Sequence, residues 1–309
     1  MEFLQALEAI RSPLGDLFFG AVTHLGDETL FMIVALIVFW CMDKHRGYYL
    51  LFVGFSGVVT VQFLKMLFRV PRPWVLDPQF TIVESARAAA TGYSFPSGHT
   101  LCGTALYGGM ARSSTRAWER AAGIVLALTV AFSRLYLGVH TPWDVGASLL
   151  LGCACVFLLY PIIEKTRRDP RFMYLAIGIA MTLALANLLF VELYRFPADT
   201  DPVNLQNATE VAWKLTGVIG GMCLLYPIDH AWLHFETRAV WWAQILKLCG
   251  GALLVVLVRA GLKEPLNLLC GTNVGSMLRY FLMVTTAGVL WPMTFGWFAR
   301  LGRKKETRA

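Results

Sequence analysis

Two histidines in the sequence lie beside residues that could support phosphoryl transfer. His140 is followed four residues later by Asp144, and in a helix that begins by Thr141 this spacing places both side chains on one face. A carboxylate in that position can hold the imidazole tautomer and stabilise the imidazolium cation. We therefore predict that His140 is a nucleophile and that Asp144 orients it.

The second histidine, His99, ends the run Pro96-Ser97-Gly98-His99 at the start of an apolar segment. Backbone N–H groups at the N-terminus of a helix bind anions, so Ser97, Gly98 and His99 are predicted to cradle a phosphate. His99 has no acidic neighbour in the sequence, and its position suits the protonation of a leaving oxygen. It is predicted to act as the general acid.

Three basic residues could bring positive charge to the same site: Lys65, Arg72 and Arg134. Together they could neutralise the oxygens of a phosphoryl group. Taken singly, Lys65 and Arg72 have an ordinary explanation as cations whose stems lie in the membrane and whose heads reach the surface. Because three cations are available and no Asp/Glu cluster faces this side, the chemistry requires neither a metal nor another cofactor.

The elements that must position these residues are membrane helices. Hydrophobic residues make up 57% of the 309 residues and charged residues only 15%, and the charges fall in short clusters between long apolar runs. This pattern excludes a soluble protein and predicts an all-α, polytopic transmembrane bundle. The net charge of +7 comes from Lys and Arg at the segment ends, so no nucleic-acid partner is expected.

About nine segments approach the length of about 20 apolar residues that spans a bilayer. A further helix is predicted from Phe3 to Val22, and because of its charges we expect it to be interfacial or partly buried. The predicted spans are Thr29–Met42, Tyr48–Phe68, His99–Met110, Ala121–Leu137, Trp143–Ile163, Phe172–Leu193, Val211–Ile228, Val240–Val258 and Met277–Phe298.

The Lys and Arg residues predict the orientation of the chain. They cluster after the first, third, fifth and seventh predicted spans and in the tail, and we expect that side to be the cytoplasm. The chemistry-bearing residues and the long connection from Arg69 to Pro96 then lie on the opposite face. The expected location is a bacterial inner or plasma membrane, with the active site facing the outside or a lumen and the C-terminus in the cytoplasm. The basic residues of the tail are Arg300, Arg303, Lys304, Lys305 and Arg308.

Three groups of residues resemble, in type, spacing and order, the motifs of the type 2 phosphatidic acid phosphatase superfamily. The resemblance extends over roughly Leu25 to Ile163. The three groups are Lys65 with Arg72-Pro73, then Pro96-Ser97-Gly98-His99, then Ser133-Arg134 with His140 and Asp144.

The resemblance implies a helical core in which His140 forms a phosphohistidine, Asp144 orients it and His99 is the acid, without a divalent metal. The implied substrate is a lipid phosphate monoester or pyrophosphate in the bilayer. Two other functions fit the same residues. A phosphotransferase would pass the phosphoryl group to a lipid or sugar acceptor, since the first half-reaction is shared, and a transporter or scaffold would retain only the anion site. The implied phosphate-binding residues are Lys65, Arg72, Ser97, Gly98 and Arg134.

We expect three parts along the chain. Residues 1–27 form the N-terminal helix, residues 28–163 form the catalytic membrane core, and residues 164–309 add about four spans beyond the usual core. Nothing in this extension resembles the motifs. It could line a lipid access groove, form the face of a homodimer or serve a second activity.

Overall fold

The computed structural model describes residues 1–301, which form helices and no β-strand. The all-α prediction is confirmed. The tail residues Arg303, Lys304, Lys305 and Arg308 lie outside the described residues. The α-helices are α1 (Glu2–Ala9), α2 (Pro13–Thr23), α3 (Glu28–Ile37), α4 (Lys44–Phe68), α5 (Pro73–Leu76), α6 (Gly98–Gly103), α7 (Gly109–Ser113), α8 (Ala117–Tyr136), α9 (Pro142–Lys165), α10 (Arg171–Leu193), α11 (Pro202–Ile228), α12 (Trp241–Gly261), α13 (Lys263–Cys270), α14 (Thr272–Thr285) and α15 (Phe295–Arg300). Short 3-10 turns lie at His24–Gly26, Glu84–Ala86 and Pro292–Thr294, and π turns at Val38–Met42, Thr104–Gly108, Asp229–Leu233 and Thr286–Leu290.

Six helical segments within residues 1–301 are long and apolar enough to cross a membrane. A seventh is obtained when the bent pair Pro13–Gly26 and Glu28–Met42, which meet at 52°, counts as one span. The chain is therefore a multi-pass integral membrane protein, but the prediction of about nine spans is too high by this criterion. His99–Met110 lies in a helical run that is too short to cross alone, since about 20 residues are needed. Ala121–Leu137 lies largely within α8, which carries charged residues in its first and last turns.

The N-terminal region forms two helices, so the prediction of one helix from Phe3 to Val22 is wrong. The second helix, α2, begins at Pro13 with Ser12 as its N-cap, and Ser12 Oγ accepts a hydrogen bond of 3.2 Å from the Gly15 N–H. Proline lacks an N–H and is tolerated in the first turn of a helix, so Pro13 starts a helix instead of continuing one. Leu4 of α1 is buried, which agrees with a partly buried element.

Internal contacts divide the chain into two compact units, and neither is continuous in sequence. The first unit combines Met1–Ala35 with Tyr49–Ala212 and contains every residue predicted to take part in the chemistry. The second combines Leu36–Tyr48 with the chain from Trp213 onwards. The division of the sequence after residues 27 and 163 stays a prediction.

Glycines allow the central helices of the first unit to approach closely. The helical run from α6 to α7 packs against both α8 and α9. A Cβ on Gly123 of α8 would lie 2.6 Å from the Tyr107 carbonyl oxygen, and one on Gly152 of α9 would lie 2.7 Å from Thr104 Cβ. Only glycine fits such contacts without displacing the neighbouring helix. This packing fixes the start of α6 beside the start of α9.

The connection between α4 and α6 folds over the same end of the first unit. Its side chains Phe80, Ile82 and Ala86 pack in a buried cluster with Tyr136 and Leu137, at the end of α8. Burial of this apolar surface holds the connection in place. The connection therefore has a fixed conformation, and its backbone carbonyl groups can accept hydrogen bonds from the predicted site residues.

The second unit is held together by close helix packing as well. A Cβ on Gly217 of α11 would lie 2.1 Å from the Met277 carbonyl oxygen of α14, and one on Gly221 would lie 2.7 Å from Val284 Cβ. Two small residues spaced four apart let membrane helices come into backbone contact. This pair of helices forms part of the predicted C-terminal extension.

Candidate active site

His140 and Asp144 are brought together at the start of α9. The helix begins at Pro142 with Thr141 as its N-cap, so His140 lies just before it. Asp144 Oδ2 accepts a hydrogen bond of 2.7 Å from the Thr141 N–H and lies 3.4 Å from His140 Nδ1. Both side chains are almost fully buried, at 2% and 1% exposure. The predicted juxtaposition is found, although only Asp144 belongs to the helix.

The contact with Arg72 determines which nitrogen of His140 carries the lone pair and which carries the proton. Arg72 Nη1 lies 2.9 Å from His140 Nε2, and a guanidinium can only donate hydrogen bonds. Nε2 is then the acceptor, which leaves the imidazole proton on Nδ1, facing Asp144. The arrangement assigns the lone pair of the imidazole to Nε2.

The remaining donors of Arg72 are largely used by backbone carbonyl groups, two of them in the connection between α4 and α6. Arg72 Nε donates to the Gly92 carbonyl at 3.0 Å, Nη2 to the Thr91 carbonyl at 2.7 Å, and Nη1 to the Val139 carbonyl at 2.9 Å. These bonds fix the guanidinium beside His140. They also reduce the number of N–H groups with which Arg72 can bind a phosphoryl oxygen.

Arg134 differs from Arg72 because most of its donors are unused. Its side chain is 0% exposed, and Nη1 donates to Thr23 Oγ1. The buried atoms Nε and Nη2 have no hydrogen-bond partner within residues 1–301. Buried donors are rarely left unpaired, because each costs about 1–3 kcal/mol. Arg134 is therefore the cation best prepared to bind an anion through two N–H groups.

The backbone cradle at the start of α6 is smaller than predicted. The Ser97 N–H donates to the Asp144 carbonyl oxygen at 3.2 Å, so it cannot bind a phosphate. Gly98 and His99 N–H groups have no such partner in the part of the chain that is described. A Cβ on Gly98 would meet nothing within 4 Å. The cradle therefore consists of the Gly98 and His99 N–H groups, with open space in front of Gly98.

Lys65 completes the group of cations. Its Nζ donates to the Tyr93 carbonyl oxygen in the connection between α4 and α6. Burial lowers the pKa of His140, and the charges of Arg72, Arg134 and Lys65 lower it further. Several cations around one buried imidazole therefore disfavour its protonated form.

His99 has an acidic partner that its sequence neighbours did not reveal. His99 Nε2 lies 2.9 Å from Asp27 Oδ1, and the other oxygen of Asp27 lies 2.8 Å from His24 Nδ1. Asp27 is distant from His99 in sequence, so only the fold brings them together. The one available signal was the polar group His24-Leu25-Gly26-Asp27 at the edge of an apolar segment.

Ser94 is a second residue that the motifs did not indicate. Its Oγ donates to Asp144 Oδ2 at 2.6 Å and lies 3.4 Å from His140 Nδ1. It is fully buried. A hydrogen bond to a charged acceptor is stronger than a neutral one, so Ser94 fixes the Asp144 carboxylate beside His140.

The comparisons with known families agree with this site. Residues 46–168 match the PAP2 superfamily, and residues 213–304 match the transmembrane extension of PAP2 superfamily phosphatases. The chain belongs to the PAP2 superfamily and carries its C-terminal transmembrane extension. The resemblance indicated by the three motifs is thereby confirmed.

Individual relatives give a finer comparison. The chain is 25% identical over 270 residues to sphingosine-1-phosphate phosphatase 1 of Rattus norvegicus. This alignment covers 82% of this chain and 60% of the relative. It is 30% identical over 127 residues to undecaprenyl-diphosphatase of Sulfolobus acidocaldarius, covering 41% of this chain and 59% of the relative. A crystal structure of Aquifex aeolicus LpxE aligns with a TM-score of 0.45 and 26% identity, over 51% of this chain and 92% of that one. The chain thus spans about three-fifths of the length of the curated relatives it matches.

Proposed function

We propose that the protein hydrolyses a lipid phosphate monoester or pyrophosphate through a phosphohistidine at His140, without a divalent metal. One observation carries the proposal: the lone pair of His140 Nε2 accepts a hydrogen bond from Arg72 Nη1, which a phosphoryl oxygen can take over as Nε2 attacks. The buried cation Arg134 keeps two donor atoms without a partner within residues 1–301. A neutral nucleophile beside donors for the oxygens of a phosphoryl group is what in-line transfer needs.

In the first step His140 Nε2 attacks phosphorus. The P–N bond forms, the bond from phosphorus to the leaving oxygen breaks, and His99 donates a proton to that oxygen. The proton on His140 Nδ1 stays in place, and Asp144 stabilises the imidazole as it becomes positively charged. Arg134 and the N–H groups of Gly98 and His99 stabilise the charge on the equatorial oxygens.

In the second step water replaces histidine. His99, now neutral, accepts a proton from the attacking water as the new P–O bond forms and the P–N bond breaks. His140 Nε2 recovers its lone pair, and inorganic phosphate leaves. Each residue returns to its starting protonation state, so the cycle needs no cofactor.

The names of the relatives support a lipid substrate. They include enzymes named for sphingosine-1-phosphate and for undecaprenyl diphosphate, both of which join a phosphate to a long apolar chain. The apolar helices keep such a chain in the bilayer, while the phosphate reaches the site at its surface. Following the orientation predicted by the Lys and Arg residues, we place the site on the non-cytoplasmic face.

The test is phosphate release by the purified protein in mixed micelles of detergent and lipid. A panel of sphingoid phosphate, phosphatidic acid, phosphatidylglycerophosphate and undecaprenyl diphosphate would be compared, in the presence of a chelator. The wild type should release phosphate from at least one substrate, and His140→Ala should abolish the release. His234→Ala, a histidine of the second unit, serves as the matched control and should remain active.

Two results would overturn the proposal. Full activity in the His140→Ala variant would exclude this nucleophile, and binding or movement of lipid without phosphate release would indicate a transporter. The same assay separates hydrolysis from transfer when sugar or lipid acceptors are added. A phosphorylated acceptor in place of free phosphate would identify a phosphotransferase.

A further inference from the structure

Asp27 joins two histidines at the edge of the site. One carboxylate oxygen lies 2.9 Å from His99 Nε2 and the other lies 2.8 Å from His24 Nδ1. The three side chains differ in exposure: His99 is 17% exposed, Asp27 is 34% exposed and His24 is 68% exposed. They therefore form a chain from the buried site to the surface.

The backbone holds Asp27 against His99. Asp27 lies between the 3-10 turn His24–Gly26 and the first residue of α3. A Cβ on Gly26 would lie 2.7 Å from the His99 carbonyl oxygen and 2.7 Å from Val130 Cγ1. Only glycine allows this approach, so the turn is seated directly on the start of α6 and Asp27 has little freedom to move away.

The contact leaves one nitrogen of His99 for the substrate. Nε2 lies 2.9 Å from Asp27 Oδ1 as an ion pair, although it makes no hydrogen bond within residues 1–301, and Nδ1 is the nitrogen left to reach a leaving oxygen. Burial, followed by the charges of Arg134 and Arg72, lowers the pKa of His99 to about 4. A carboxylate at 2.9 Å opposes them, because it stabilises the imidazolium form.

We propose that Asp27 is the positioning residue of the general acid: it lies against Nε2 of His99, which leaves Nδ1 for the substrate, and it stabilises the protonated form of the ring. The inference rests on the proposed function, since it needs His99 to act on a leaving group.

The proton movements balance over one turnover. When the bond from phosphorus to the leaving oxygen breaks, the Nδ1 proton of His99 passes to that oxygen, and the neutral ring keeps its proton on Nε2, the nitrogen that lies 2.9 Å from Asp27 Oδ1. When water attacks the phosphohistidine, Nδ1 accepts a proton from it, and the Asp27 carboxylate again faces an imidazolium.

The test compares two leaving groups on Asp27→Asn. An alkyl phosphate such as a sphingoid phosphate needs a proton on its leaving oxygen, whereas 4-nitrophenolate leaves from 4-nitrophenyl phosphate without one. Loss of general acid catalysis costs about 10²-fold or more, so kcat on the alkyl phosphate should fall by about that factor, and kcat on the nitrophenyl ester by less than about threefold. Asp199→Asn, which changes an exposed carboxylate of the outer loop at 199, should leave both rates unchanged.

The ratio of the two rates decides the question even if part of the variant is misfolded, because inactive protein cancels from a ratio measured on one preparation. An unchanged ratio, whether both rates fall together or neither falls, would overturn the role of Asp27. The double variant Asp27→Asn, His99→Asn should show the same ratio as His99→Asn alone, since Asp27 acts through His99.

Failure of the proposed function would look different. If wild type releases no phosphate from either substrate, or if His140→Ala retains activity on both, the phosphatase mechanism itself is wrong. If His140→Ala is inactive on both substrates and Asp27→Asn leaves the ratio unchanged, only the inference on Asp27 is wrong.

Discussion

Replacement of Arg134 by methionine should separate activity from stability. The guanidinium is fully buried, and two of its atoms, Nε and Nη2, have no hydrogen-bond partner within residues 1–301. Methionine has a similar length and fills the same space without donors or charge. The change therefore removes the proposed anion-binding group while it preserves most of the packing.

The magnitudes follow from the contacts. Removing one donor to a developing oxyanion costs about 10²–10³ in kcat, so the loss of both donors and of the charge predicts a decrease of about 10³-fold or more. The free energy of unfolding, in contrast, should increase or stay unchanged. Each unpaired buried donor costs the folded state about 1–3 kcal/mol, and this cost disappears in Arg134→Met. The variant also loses one hydrogen bond to Thr23, and this loss offsets about 1 kcal/mol of the gain in stability.

Two assays on the same preparation check this prediction. Phosphate release measures kcat, and thermal unfolding followed by size-exclusion chromatography in detergent measures the apparent Tm. Arg116→Met is the matched control, because Arg116 belongs to the start of the same helix and pairs with Glu119 at 2.9 Å on the surface. Such a pair contributes about 1 kcal/mol or less, and its loss should leave kcat unchanged.

Either of two results would exclude this role for Arg134. If Arg134→Met retains more than about a tenth of the wild-type kcat, the two donors do not stabilise a transition state in the way that oxyanion donors do. If its Tm falls sharply together with kcat, Arg134 is a structural residue whose donors are satisfied in the folded protein.

Three further predictions concern the surroundings of the nucleophile. Ser94→Ala removes the 2.6 Å hydrogen bond to Asp144 and should lower kcat about tenfold, as expected for a bond to a charged group; a kcat equal to wild type would contradict this. Burial and the surrounding cations lower the pKa of His140 from its ordinary value of 6.5. His140 should therefore become protonated, and lose its activity as a nucleophile, only below pH 6.5. In a profile of kcat/KM from about pH 4 to 8, the decrease on the acidic side should lie below pH 6.5, and a decrease that begins above it would contradict this. Gly26→Ala places a Cβ 2.7 Å from the His99 carbonyl oxygen and should lower the free energy of unfolding by about 1–3 kcal/mol, seen as a lower Tm, whereas an unchanged Tm would show that the turn is not seated on α6.

The sequence was sufficient to predict the helical membrane architecture and the position of Asp144 and Arg72 beside His140. Apolar runs of the required length can only be helices in a bilayer, and the spacing from His140 to Asp144 limits how far apart their side chains can lie. The two predicted spans that failed, His99–Met110 and Ala121–Leu137, are short or charged at their ends. Apolar composition alone overestimates such segments.

The partners of the catalytic groups could not be predicted in the same way. Asp27 and Ser94 have no periodic relation to His99 or His140, and they reach the site because the chain turns at Gly26 and because the connection between α4 and α6 packs against α8. The loss of the Ser97 N–H from the cradle has a similar origin, since it donates to a carbonyl of another helix. Contacts between distant segments depend on packing, which leaves no local pattern.

The most direct measurement is to trap the covalent intermediate. Wild-type protein would be mixed with lipid phosphate labelled with ³²P and quenched in base within one turnover, because phosphohistidine is stable there and labile in acid. Peptide mapping should place the label on the peptide that contains His140, and His140→Ala should carry none. A label on another residue, or rapid phosphate release by His140→Ala, would contradict the account.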